Sequence, residues 1–212
     1  RLWFGLNFIE RIIALLIVGG LVRINLSKNK IKMKKLLFLF MLPALGFSQS
    51  IDLVNTEKRI GIKNWSKVND DVMGGISTSK IRINNDGNIV FSGFLSLKNN
   101  GGFASMRLDL IDLDLEKVKS FNIKFKGDGN SYKLRFRQHN RRASYSHSFK
   151  SVKDKWIEKN ILISEFKPTW RGINYANYPD LQTEKISSVG LQISDKQEGT
   201  FELELKHIKA VF

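Results

Sequence analysis

From Ser77 onward the chain alternates apolar and polar residues with a period of two, and turn residues interrupt the alternation at short intervals. That period belongs to a strand with one face in a core and one in solvent, and it is incompatible with a helical stripe. Ile81 and Ile83 are followed by Asn84-Asn85-Asp86-Gly87-Asn88 and then Ile89 and Phe91. The Asp-Gly step suits a hairpin that needs positive φ. Further strands are expected over 102–108, 120–126, 131–138, 144–151, 156–163, 186–193 and 200–212. Leu113 to Val118 offers at most one helical turn.

Eight or nine strands without intervening helices make an antiparallel, all-β sandwich of the jelly-roll kind. Its inner faces follow from the alternation: Phe121, Ile123 and Phe125; Tyr132, Leu134 and Phe136; and Phe201, Leu203 and Leu205. Trp156, placed in a strand, is also expected in the core. Residues 164–185 break the pattern and carry Phe166, Pro168, Trp170, Tyr175, Tyr178 and Pro179. A long aromatic loop in a compact domain either binds something or packs over a sheet end.

The first 48 residues read differently. Met33 opens a run with Lys34 and Lys35 ahead of an apolar stretch from Leu36 to Leu45, closed by Gly46 and Ser48. A basic start, a short apolar centre and small residues at the end form a secretory signal peptide over 33–48, too short for the roughly 20 residues of a membrane span. The mature chain is then exported, periplasmic or extracellular, with no membrane span. Residues 1–32 are expected to be upstream translation, 49–59 a linker and 60–212 the folded domain. Of the net charge of +15, +7 lies in residues 1–48 and +8 in the remainder. That moderate basicity favours anionic partners in general. The absence of cysteine removes disulfides, thiol nucleophiles and thiolate metal sites.

Two passages carry Gly-Gly pairs beside polar residues: Asn69-Asp70-Asp71-Val72-Met73-Gly74-Gly75-Ile76-Ser77 and Asn99-Asn100-Gly101-Gly102-Phe103. Paired glycines permit a tight corner or the close approach of another group. A ligand site, if these loops make one, is expected between them, with Asn69, Asp71, Gly74, Gly75, Asn100, Gly101, Gly102 and Arg107 contributing and Trp170 as an aromatic platform.

Catalytic patterns are weak. Asp70 and Asp71 are adjacent, and in an extended segment they would diverge instead of sharing a substrate atom. His139, His147 and His207 stand in no triad or metal-ligand spacing, and Asp128 and Asp195 fit turns. No cofactor or metal is expected. Lys133, Arg135 and Arg137 form a basic ladder along one strand, with Arg141 and Arg142 beyond. Such a ladder suits phosphate, sulfate or carboxylate, or is simply a solvated face. Nucleic acid is disfavoured, because the neighbouring aromatics look inward and leave none for stacking.

Trp65–Ser77 resembles the signature of the complex I intermediate-associated protein 30 family. The likeness continues through Phe91–Leu97, Asn100–Arg107, Gly127–Gly129, Ser144–Phe149, Trp156, Phe166–Pro168, Arg171-Gly172, Val189–Gln197 and Gly199–Leu203. The resemblance implies a galactose-binding-type jelly roll and a non-enzymatic, chaperone-like role on a protein partner. Respiratory-complex intermediates are the partner by resemblance alone. An exported chain would not meet them on the inner side of a membrane. The alternatives are an exported carbohydrate-binding module, with a glycan as partner, and a hydrolase acting on an anionic polymer.

Overall fold

The computed structural model describes residues 49–212; the signal-peptide and upstream readings for residues 1–48 lie outside them. The described residues form two antiparallel sheets packed face to face. One sheet runs in the order β3 (Thr78–Ile83), β4 (Ile89–Leu95), β13 (Gly199–Val211), β6 (Ser120–Gly127), β9 (Trp156–Leu162). Beside β4, β1 (Ser50–Asn55) occupies the far half of the same edge of β13, pairing Ser50 with Val211 and Asn55 with His207. The other sheet runs β11 (Ile173–Asn174), β10 (Lys167–Trp170), β8 (Ser144–Lys150), β7 (Ser131–Gln138), β12 (Ile186–Ile193), β5 (Ala104–Asp109), β2 (Ser66–Asn69). This is the expected jelly-roll sandwich.

The core lies where the alternation puts it. All nine residues read as inward-facing are buried. Phe121 of the first sheet stacks on Phe136 of the second, with ring centroids 4.1 Å apart, and both meet the ring of Phe166 edge-on. A bulge between Leu205 and His207 shifts the register of β13, so Leu203 and Leu205 before it and Ile208 and Ala210 after it all face inward.

Five places depart from the expectation. Ser66–Asn69, where no strand is expected, forms β2 and pairs with β5 at the sheet edge. Residues 49–59, read as a linker, contain β1, whose ladder along β13 buries Leu53 and Val54. Leu113 to Val118 forms no helix; a Val118 N–H to Leu115 carbonyl turn tucks both side chains into the core. The aromatic segment supplies the short edge strands β10 and β11, too brief and too rich in proline and glycine to show a period. Trp156 is 40% exposed and not in the core. In β9 the inward parity belongs to Ile157, Lys159 and Ile161, so Trp156 stands on the outer face with the Lys126 ammonium 5.3 Å from its ring. Among the described residues, no helix is long and apolar enough to cross a membrane.

Candidate functional site

Both Gly-Gly passages are crossings at one corner of the sandwich. The first leaves β2, makes a single 3₁₀ turn over Asp70–Met73 and enters β3 in the opposite sheet. The second leaves β4 and enters β5 on the return. Asp70 joins them. Its side chain has no solvent exposure, and its carboxylate accepts from four donors: Ser77 N–H to Oδ1 at 2.9 Å, Ser77 Oγ–H to Oδ2 at 2.5 Å, Gly102 N–H to Oδ2 at 2.6 Å and Phe103 N–H to Oδ2 at 3.3 Å. Ser77 Oγ in turn accepts the Ser96 N–H at 3.0 Å. Burial pushes the Asp70 pKa up, but the bonds from Ser77, Gly102 and Phe103 outweigh it and hold the carboxyl below its ordinary value.

The glycines follow from that carboxylate. A Cβ on Gly75 would lie 2.4 Å from Asp70 Cγ, and one on Gly101 would lie 2.7 Å from Asp70 Oδ2 and 2.8 Å from the Ser96 carbonyl. Gly74 serves differently: at φ +89° it ends the 3₁₀ turn in the left-handed region. The space between the two loops is thus filled by Asp70.

The 3₁₀ turn sends the adjacent carboxylates apart, Asp70 inward and Asp71 into solvent. Asn69 also points inward, its Oδ1 accepting from Ser79 Oγ at 2.7 Å across the two sheets. Asn100, at φ 57°, is exposed. The structure therefore brings Asn69, Asp71, Gly74, Gly75, Asn100, Gly101 and Gly102 into one corner. Arg107 sits farther along β5, on the outer face of the sheet, opposite Ser66 and Gly190. Trp170 is remote from both. Its strand, β10, is five positions from β2, about 24 Å at the usual strand spacing. Thr169 shares the Arg137 face through Ser144, so Trp170, the next residue, leaves from the other face.

One feature of this corner was not singled out in the sequence. Val72, Met73 and Ile76 are 69%, 57% and 51% exposed, three large apolar side chains presented by a segment whose backbone is anchored at Asp70 and Ser77. The signal was available in the signature itself, where apolar residues sit between polar and glycine positions outside any alternating run.

The remaining polar candidates are structural ties. Asp128 accepts from the Asn130 and Glu202 amides and the Tyr132 hydroxyl, and Asp195 pairs with Lys133 at 2.6 Å. His147 faces the sandwich interior, with Lys159 Nζ 3.0 Å from Nε2. His207 Nε2 lies 2.8 Å from Asn122 Oδ1. Among the described residues, no three His, Asp or Glu side chains converge as a metal site.

Comparison with known proteins agrees with this architecture. Among solved structures, the family 11 carbohydrate-binding module of the cellulosomal cellulase Lic26A-Cel5E of Clostridium thermocellum superposes with a TM-score of 0.58 at 18% identity, over 77% of this chain and 95% of its own. The Clostridium thermocellum family 11 module in complex with a β-1,3-1,4-mixed-linked tetrasaccharide gives 0.56 at 17%, over 76% and 95%. These likenesses establish the fold. An uncharacterized protein of Schizosaccharomyces pombe is 29% identical, over 70% of this chain and 80% of its own. The profile of Complex I intermediate-associated protein 30 (CIA30) matches residues 53–205, which span β1 to β13 and include the Asp70 corner. This chain belongs to the Complex I intermediate-associated protein 30 family.

Proposed function

We propose that this chain is a non-enzymatic, assembly-assisting protein that holds a protein partner through its signature corner. The observation that carries the reading is the pairing of a rigid base with an apolar tip. Asp70 fixes both crossing loops, while Val72, Met73 and Ile76 stand out into solvent. Apolar side chains grouped on an ordered loop are a recurrent sign of a protein contact, since exposing them has no value to the fold itself. Membership of a family named for association with intermediates of complex I supports the same direction. The export signal read at Met33 makes the partner an envelope or extracellular protein. No catalytic step enters the proposal: the best-placed carboxylate, Asp70, is consumed by four hydrogen bonds.

The test is site-specific photo-crosslinking in the native host. A benzophenone side chain at position 73 should give one discrete protein adduct, and the same group at Lys80, on β3, should not. The adduct should disappear when Val72→Asp is introduced alongside. Equal labelling from both positions, or no adduct from position 73, would remove the proposal.

A second reading, a carbohydrate-binding module, is supported by the outer face of the second sheet. There the hydroxyls of Ser144 and Ser146 and the amide of Gln192 surround arginines. Glycan-array binding that fails on Gln192→Ala but survives Trp170→Ala, whose ring leaves from the opposite face, would favour it; an array that stays blank would dismiss it.

A further inference from the structure

The outer face of the second sheet gathers positive charge that the fold does not neutralise. Arg107 on β5 and Arg135 on β7 both lie opposite Gly190 of the intervening strand β12. Their Cα atoms are therefore two strand spacings apart, about 10 Å, with no side chain between them. Arg137 is the next outward residue on β7. Gly190 has to be bare, because a Cβ there would sit 2.6 Å from the Met106 carbonyl. The consequence is that three arginine side chains crowd over one bare backbone position, with only about 20 Å³ of free space among them.

None of the three lies within 4 Å of a carboxylate of the described residues, although Lys133 on the same face pairs with Asp195. Arg135 makes one side-chain bond, donating Nη1–H to Gln192 Oε1 at 2.7 Å. Burial, reinforced by the neighbouring Arg107 and Arg137 charges, pulls its pKa down to about 10. Arg107 is lowered too, by burial and then by Arg137, with Asp109 at the rim opposing. Like charges brought together under partial desolvation oppose folding, and a bound oxyanion relieves that opposition while accepting paired N–H bonds.

We propose that this face binds an acidic saccharide in the depression beside these arginines, its carboxylate or sulfate held by Arg107 and Arg137 while Arg135, beside Gly190, adds its charge. The choice of ligand follows from the lining. From Arg107 and Arg137 a depression of about 400 Å³ runs past Asp109 and over Ser188 to His139, Asn140 and Arg142, and no apolar side chain lines it. A peptide or lipid would find no apolar seat there. A nucleotide base would find no Phe, Tyr or Trp ring in the lining on which to stack. Ring hydroxyls would find serine hydroxyls and amide groups, and the net +8 of residues 49–212 favours the approach of an anionic chain. The site is separate from the Val72-Met73-Ile76 corner and does not depend on the protein-partner reading; it rests on the carbohydrate-binding reading of this same face and names the class of sugar, so neutral and acidic sugars separate the two.

Titration calorimetry on the purified protein tests it with hexagalacturonate and a heparin hexasaccharide as the carboxylate and sulfate arms. Methyl-esterified hexagalacturonate, neutral agarohexaose, a phosphopeptide and inorganic sulfate are the comparisons. At least one acidic oligosaccharide should bind in a saturable manner that weakens with salt. The esterified and neutral sugars should bind at least about tenfold more weakly. Arg135→Gln and, separately, the less enclosed Arg137→Gln should each weaken binding at least about tenfold while the melting temperature of the free protein stays level or rises. The proposal is overturned if neutral and acidic sugars bind alike, if the variants bind as the parent does, if the phosphopeptide is preferred, or if inorganic sulfate binds and no oligosaccharide does.

Discussion

Gly102 donates its amide hydrogen to Asp70 Oδ2 at 2.6 Å, closing a contact between residues 32 apart in sequence and joining the two crossings of the sandwich. With Ser77 and Phe103 completing the set, removal of the carboxylate leaves several buried donors without an acceptor. Asp70→Ala should destabilise the fold by about 3 kcal/mol, and Asp70→Asn, which brings an amide N–H among donors, by a similar amount. Urea denaturation of the two variants checks this. Because the folded-state pKa is lowered, Asp70 contributes its stability in full above its unfolded value of about 3.9. That contribution is lost as pH falls through the folded value, so the acid limb of the stability curve should flatten in both variants.

The glycines flanking Asp70 should separate by mechanism. Gly101→Ala places a methyl against Asp70 and against the carbonyls of Ser96 and Lys98, at 2.7, 2.8 and 2.9 Å, and backbone oxygens cannot swing away. Gly74→Ala meets nothing within 4 Å and strains only its φ of +89°. The first should lower stability by about 2–3 kcal/mol, the second by about 1 kcal/mol. Melting temperatures of the two purified variants rank them.

Trp156 and Phe121 are both large aromatics in strands, with opposite fates. Phe121→Ala opens a cavity between the sheets and should remove about 3–5 kcal/mol. Trp156→Ala removes an exposed ring beside Lys126 and should remove less than about 1 kcal/mol. Paired chemical denaturation curves test the ordering.

His147 should titrate below the usual histidine range. Burial is the leading cause, the Lys159 charge adds to it, and Glu165 partly offsets both. Protonation would also break the bond in which Nε2 accepts from the Lys159 ammonium. A depressed folded-state value means that this stability is present above about pH 6.5 and declines as pH falls through the folded value. Two-dimensional NMR of the ring protons should place the midpoint below that of an unfolded histidine, and His147→Gln should reduce the loss of stability between pH 7 and pH 5.

Much of the fold was legible because strand alternation is a local property. Phe121, Ile123 and Phe125 face one way in any strand of that sequence, and the sandwich gives that face a partner. β1, β2, β10 and β11 were not legible, since short edge strands are defined by the neighbour they pair with, and for β1 that neighbour is about 150 residues away. Trp156 misled for a related reason: periodicity yields two faces, and only the packing of Ile161 against the core says which one is inside.

The candidate site divides along the same line. By itself the sequence determined an all-β sandwich, its principal strands, the membership signalled by Trp65–Ser77, and a basic ladder on β7. The tertiary structure alone decided that Asp70 is the buried tie while Asp71 faces solvent, that Val72, Met73 and Ile76 form an exposed tip, and that Arg107 joins Arg135 across Gly190. Each of these depends on contacts between residues far apart in the chain. Spacing along one strand encodes which residues share a face, but the strand that will lie beside it, and the charge that strand brings, are settled only when the sheets close.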